Sequence, residues 1–167
     1  HGVALRSIRG FGYRLELVLS EPDIREPVSI SFDGNGRLYV AEMRSHWVWS
    51  FQVQPDGSLI HGVPFHRLEI PDEVESGVLR SGADGMTVDS EGNFYVATKL
   101  GIQITDPIGR TPAIISKPGT ADPSNVVFGG PDLQTLYVTA GDKVYRREVR
   151  RKGVNAWTVV KPPKPRL

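Results

Sequence analysis

Ser81-Gly82-Ala83-Asp84-Gly85-Met86-Thr87-Val88-Asp89-Ser90-Glu91-Gly92-Asn93-Phe94-Tyr95-Val96-Ala97 places a carboxylate just ahead of a strand, a turn and a second strand. Met86 and Val88 alternate with Thr87 and Asp89, as apolar and polar residues do in a half-buried strand. Asp89-Ser90-Glu91-Gly92-Asn93 supplies turn chemistry, and Phe94-Tyr95-Val96-Ala97 has high β propensity. Asp84 stands between Ala83 and Gly85, two small residues that leave its backbone unobstructed.

The same unit recurs on both sides. Upstream, Val28–Phe32, a turn at Asp33-Gly34-Asn35-Gly36 and Arg37–Ala41 repeat it; Trp47–Val53, a turn at Pro55-Asp56-Gly57 and Phe65–Ile70 extend it to four strands. After Ala97 come Gly101–Thr105 and Pro112–Ile115. A third copy runs through Asn125–Phe128, a turn at Gly129-Gly130-Pro131-Asp132, Leu136–Thr139 and Lys143–Arg147, with Ala156–Val160 as its outer strand. Tyr39, Tyr95 and Tyr137, each followed by Val, stand 56 and then 42 residues apart. A period of about 40 to 50 residues is that of a propeller or similar array. The reading is an all-β chain, a β-propeller segment of about three four-stranded blades, half of a six-bladed ring. Its divisions are a leader and outer strand at 1–27, blades at 28–70, 82–116 and 124–160, and a Pro/Lys tail at 161–167. Tyr13–Leu19 alternates cleanly and is the expected outer strand; residues 71–81 make a long polar connection between blades.

Bulk properties narrow the function. Among 167 residues, 20 Lys and Arg balance 19 Asp and Glu, so nothing global points to nucleic acid or to an anionic membrane. No apolar run approaches the roughly 20 residues that cross a bilayer. The chain therefore reads as one handled in water, with cytoplasm, periplasm and exterior all open. With no Cys, disulfides, thiolate metal ligands and thiol catalysis are excluded. The 18 Gly and 13 Pro are spread along the chain, which suits many short turns better than helices. No nucleophile elbow, phosphate loop or dinucleotide motif occurs.

The run Gly82–Ala97, followed by Ser124-Asn125-Val126-Val127-Phe128-Gly129-Gly130-Pro131-Asp132 and Leu136-Tyr137-Val138-Thr139, resembles the gluconolactonase, regucalcin and luciferin-regenerating enzyme family. Val48–Leu59 joins the match, which spans about residues 28 to 150 and follows the second half of that family's six-bladed propeller. The resemblance implies a metal-dependent hydrolase of sugar lactones or related esters, with calcium first and zinc, magnesium or manganese as alternatives. It makes Asp84 both a metal ligand and the general base. Oxygen ligands and a proton-accepting carboxylate suit that chemistry. The family's Ser-Asn-Gly ligand segment is replaced here by Glu26-Pro27-Val28, which leaves Glu26 as the substitute ligand. Asn125, opening an inner strand, is the candidate substrate contact. A second resemblance, over Tyr13–Pro22 and Gly36–Arg44, is to quinoprotein sugar-dehydrogenase-like propellers of bacteria.

Each of these residues has a plainer reading. Asp84 also reads as a turn carboxylate, Asn125 as the cap of an Asx turn and Glu26 as a surface acid before Pro27. Glu42 reads as solvated, His46 and His66 as structural or exposed, and Trp47 with Trp49 as packing between blades. Three function classes remain: the lactone hydrolase, the dehydrogenase-like propeller and a non-catalytic binding propeller. Three blades leave two flanks to cover, which is expected of a segment of a longer protein or of a homodimer that closes the ring.

Overall fold

A computed structural model describes residues 16–72, 77, 79–155 and 159. It has eleven strands: β1 (Pro27–Phe32), β2 (Arg37–Glu42), β3 (Trp47–Val53), β4 (Leu59–Arg67), β5 (Met86–Val88), β6 (Phe94–Thr98), β7 (Gly101–Thr105), β8 (Ala113–Ser116), β9 (Pro123–Gly129), β10 (Thr135–Ala140) and β11 (Lys143–Glu148). They form three antiparallel meanders, β1-β2-β3-β4, β5-β6-β7-β8 and β9-β10-β11. The fold is an all-β propeller arc with no α-helix among the described residues.

Burial by alternate residues decides which face meets which sheet. Tyr39, Ala41 and Val48 of the first sheet pack on Met86, Val88, Phe94 and Val96 of the second. The second sheet's other face, with Tyr95, Ala97 and Ile102, packs on Val126, Phe128 and Leu136 of the third. The middle sheet is thus buried on both faces, which explains the unbroken apolar run Phe94–Ala97.

One turn device recurs. Asp33 accepts the N–H groups of Asn35 and Arg37 at 2.7 and 3.3 Å, and the Tyr39 hydroxyl at 3.4 Å. Asp89 likewise accepts from Glu91 and Asn93 N–H, both at 2.9 Å, and from the Tyr95 hydroxyl at 3.4 Å. A carboxylate at the turn's first residue satisfies backbone donors that a tight turn leaves free. Burial and the neighbouring Asp33 push the Tyr39 phenol up to about 12, so it stays a donor.

Three expectations change. Residues 16–19 of the anticipated N-terminal strand are not in a strand, and Tyr13-Arg14-Leu15 lie outside the described residues. The first sheet already has four strands, and Leu19 instead covers its flank beside Ile24. The fourth strand is Leu59–Arg67 rather than Phe65–Ile70. The strand runs through Gly62 and Pro64 because β4 is an edge with register shifts opposite it, where Pro is tolerated. Val48 faces the second sheet, so Trp47 and Trp49 do not; Trp49 stacks on Phe51 on the opposite flank, with centroids 6.3 Å apart.

The third sheet has three strands among the described residues. Of its anticipated outer strand, Ala156-Trp157-Thr158 and Val160 lie outside them, and Val159 is not in a strand. After β11 the chain turns back along the bases of two sheets. Gly153 N–H donates to Leu133 O at 2.8 Å, and Ser90 N–H donates to Lys152 O at 2.7 Å.

Candidate functional site

The first strands of the three sheets lie side by side. Met86 N–H donates to Ser29 Oγ at 3.3 Å, tying β5 to β1, and Gly85 N–H donates to Ser124 O at 2.9 Å, tying β5 to β9. Both bonds fall at the beginnings of these strands. Glu26 immediately precedes β1, Asp84 stands two residues before β5 and Asn125 is the third residue of β9. The sequence-derived candidates therefore share one end of the arc.

Asp84 is fixed by its backbone. Its N–H donates to Ala97 O at 3.0 Å and Ala97 N–H donates to Gly85 O at 2.9 Å, so residues 84 and 85 extend the β5–β6 ladder. Ala83 and Gly85 are buried on either side, while Asp84 itself is half-buried. Desolvation raises its carboxyl above the ordinary carboxylate range, only partly opposed by the Gly85 backbone. A half-buried carboxyl that is easier to protonate than usual is suited to accepting a proton.

Asn125 lies against the same backbone. A Cβ on Gly85 would stand 2.0 Å from Asn125 Oδ1 and 2.7 Å from its Cα, so glycine is what lets the two strand starts approach. Asn125 is exposed, and its Oδ1 accepts Val126 N–H at 2.9 Å, which leaves its amide NH2 group directed by that bond.

Glu26 is engaged elsewhere. Its carboxylate forms an ion pair with Arg44, and its backbone has φ 44°, a left-handed conformation uncommon outside glycine. Its carbonyl accepts Met43 N–H at 3.2 Å. Among the described residues, no group of three or more His, Cys, Asp and Glu is arranged to hold a metal ion. Asp84 fits a cation ligand, because its carboxyl is desolvated and has no cationic partner among the described residues; Glu26, neutralised by Arg44, does not.

Sequence reasoning missed Glu42. It is buried rather than solvated, at 4% exposure. It accepts Arg25 N–H and the Ser45 hydroxyl, both at 2.6 Å. Ser45 O in turn accepts Ser81 N–H at 3.0 Å, and Ser81 Oγ accepts Ala83 N–H at 3.2 Å. This chain of bonds ties the backbone just before Asp84 to the first sheet. Nothing in Glu42-Met43-Arg44-Ser45 signals it, since the partners come together only in three dimensions.

Residues 10–142 match the family described as the SMP-30/Gluconolactonase/LRE-like region. A luciferin-regenerating enzyme superposes with a TM-score of 0.65 at 22% identity, over 83% of this chain and 49% of its own. A regucalcin from Agrobacterium tumefaciens, described as a calcium-binding protein, gives 0.62 at 20% identity, over 84% and 50%. A gluconolactonase from Xanthomonas campestris gives 0.57 at 25% identity, over 74% and 37%. An uncharacterized protein of Sulfolobus acidocaldarius is 34% identical over 82 residues, 44% of this chain and 30% of that protein. The chain thus spans half or less of the length of each of these relatives. The motifs around Asp84 and Asn125, the propeller arc and the match over residues 10–142 agree, and the chain belongs to the SMP-30/gluconolactonase/LRE-like family.

Proposed function

We propose that this chain is the part of a lactone hydrolase that carries the proton acceptor, Asp84. The observation that carries the reading is the placement of a desolvated carboxyl at the start of an inner strand, beside Asn125. Family membership, which includes gluconolactonases, supports the reaction class. In lactone opening, water adds to the ring carbonyl carbon, and Asp84 takes the proton that the water loses. The ring C–O bond then breaks, and the departing alkoxide regains a proton to give the hydroxy acid. Asn125 orients the substrate through its exposed amide. A divalent cation, calcium first, supplies polarisation of the carbonyl when bound, and Asp84 is this chain's contribution to holding it. Sugar lactones are the proposed substrates.

The test is a pH-stat assay of glucono-δ-lactone hydrolysis with the wild-type protein and Asp84→Asn. A loss of at least about a hundredfold is expected, the usual scale for removing a general base. Undiminished hydrolysis by a folded Asp84→Asn protein refutes the assignment.

A further inference from the structure

Glu42 closes β2 in the interior, and its carboxylate makes no ion pair among the described residues. A carboxylate taken out of water costs free energy unless strong hydrogen bonds replace its hydration. Two do so here, one to each oxygen: Arg25 N–H on Oε1 and the Ser45 hydroxyl on Oε2. The donors come from different places. Arg25 precedes Glu26 and Pro27, where β1 begins, and Ser45 lies in the turn between β2 and β3.

That turn reaches in two directions. Toward β1, Met43 N–H donates to Glu26 O at 3.2 Å. Toward β5, Ser45 O accepts Ser81 N–H at 3.0 Å and the Ser81 hydroxyl at 3.2 Å. Ser81 is wholly buried and acts as a junction. Its Oγ accepts Ala83 N–H at 3.2 Å, and its O accepts Lys99 N–H at 3.0 Å, just past the end of β6. β1 and β5 belong to different sheets and share no ladder; the tie between the strands themselves is the long bond from Met86 N–H to Ser29 Oγ, 3.3 Å. The relay through Glu42 is therefore a principal link between the entrance of β1 and the backbone leading into Asp84.

We propose that Glu42 is a positioning residue for Asp84: by holding the Arg25 amide and Ser45 together, it sets where the Asp84 backbone stands relative to the entrance of β1. The proposal rests on Asp84 being the proton acceptor of the proposed reaction. Proton transfer requires that acceptor within hydrogen-bond reach of the attacking water, and a misplacement of about 1 Å can cost about a hundredfold in rate. Glutamine at position 42 keeps the volume but turns an NH2 group toward one of the two donors, so it breaks the relay without emptying the core.

Native-state hydrogen exchange followed by NMR, together with 13C titration of the Asp84 carboxyl, tests this without any turnover. Glu42→Gln is expected to speed exchange of the Ser81, Ala83 and Asp84 amides at least about tenfold, while the β10–β11 ladder exchanges as in wild type. The Asp84 carboxyl, released from its desolvated place, is expected to titrate closer to the ordinary carboxylate range. Ser45→Ala cuts the same relay one bond further on and is expected to reproduce both changes; Ser45→Thr keeps the hydroxyl and is expected to reproduce neither. Unchanged exchange at Ser81, Ala83 and Asp84 in folded Glu42→Gln overturns the proposal. So does faster exchange spread evenly over all three sheets, the mark of a role in overall stability alone. Where Glu42→Gln does not fold, Ser45→Ala decides by the same criteria. Hydrolysis that survives Asp84→Asn removes the proton-acceptor role, whereas a relay that proves silent beside lost hydrolysis in Asp84→Asn removes the positioning role alone, so the two failures are told apart.

Discussion

His66→Phe isolates a single buried charge change. His66 lies at 0% exposure between the first two sheets, with ring centroids 4.9 Å from Phe65, 4.9 Å from Phe94 and 5.4 Å from Tyr39. Neither ring nitrogen has a hydrogen-bond partner among the described residues. Burial pushes the imidazole down to about 4 from its ordinary value of 6.5, and the nearby Asp106 carboxylate opposes that shift only partly. The unfolded chain therefore binds a proton at this position between about pH 6.5 and pH 4 that the folded chain refuses. Stability from this group is complete above the unfolded value and is lost as the pH falls toward the folded one. At 1.36 kcal/mol per unit the loss is about 3 kcal/mol, a large part of a marginal fold's total. Phenylalanine keeps the aromatic cage filled and cannot be protonated. Urea unfolding followed by far-UV circular dichroism at pH 7.5, 5.5 and 4 should show wild type falling about 3 kcal/mol further than His66→Phe. At neutral pH the variant should equal or exceed wild type, since two unsatisfied nitrogens have gone. Parallel stability curves for the two proteins would refute the reasoning.

Other perturbations follow from the same geometry. Asp84→Asn is expected to raise the midpoint of thermal unfolding at pH 7 while hydrolysis is lost. Burial penalises the charged carboxyl in the fold, a penalty present above its raised pKa and relieved as the pH falls through it; calorimetry beside the pH-stat assay checks both signs. Gly85→Ala brings a methyl group within 2.7 Å of Asn125 Cα, and a cost of about 1–3 kcal/mol is expected in denaturant titration, with separation of the β5 and β9 starts. Asp89→Ala strands the Glu91 and Asn93 N–H groups at a buried turn and should cost about 2–4 kcal/mol by the same measurement. Asp56→Ala, at an exposed turn of similar form, should leave the unfolding midpoint nearly unchanged.

Strand positions were legible wherever a local pattern sufficed. Alternation placed β5, β propensity placed β6, and the turn residues Asp33-Gly34-Asn35-Gly36 and Asp89-Ser90-Glu91-Gly92-Asn93 marked two turns that the structure builds alike. The same logic failed where exposure mattered more than pattern: β4 runs through Gly62 and Pro64 because it is an edge, and residues 16–19 alternate without entering a sheet.

Local composition alone thus determined most of the strands other than β4, the turns, the all-β class and the positions of Asp84 and Asn125 along the chain, because each depends on residues a few places apart. Tertiary structure alone decided that Glu26 is spent on Arg44, that Glu42 and His66 are buried, and that Gly85 lets Asn125 lie beside the Asp84 backbone. Those outcomes rest on neighbours brought together across strands and sheets. Charge, desolvation and steric room at a position are properties of what surrounds it in space.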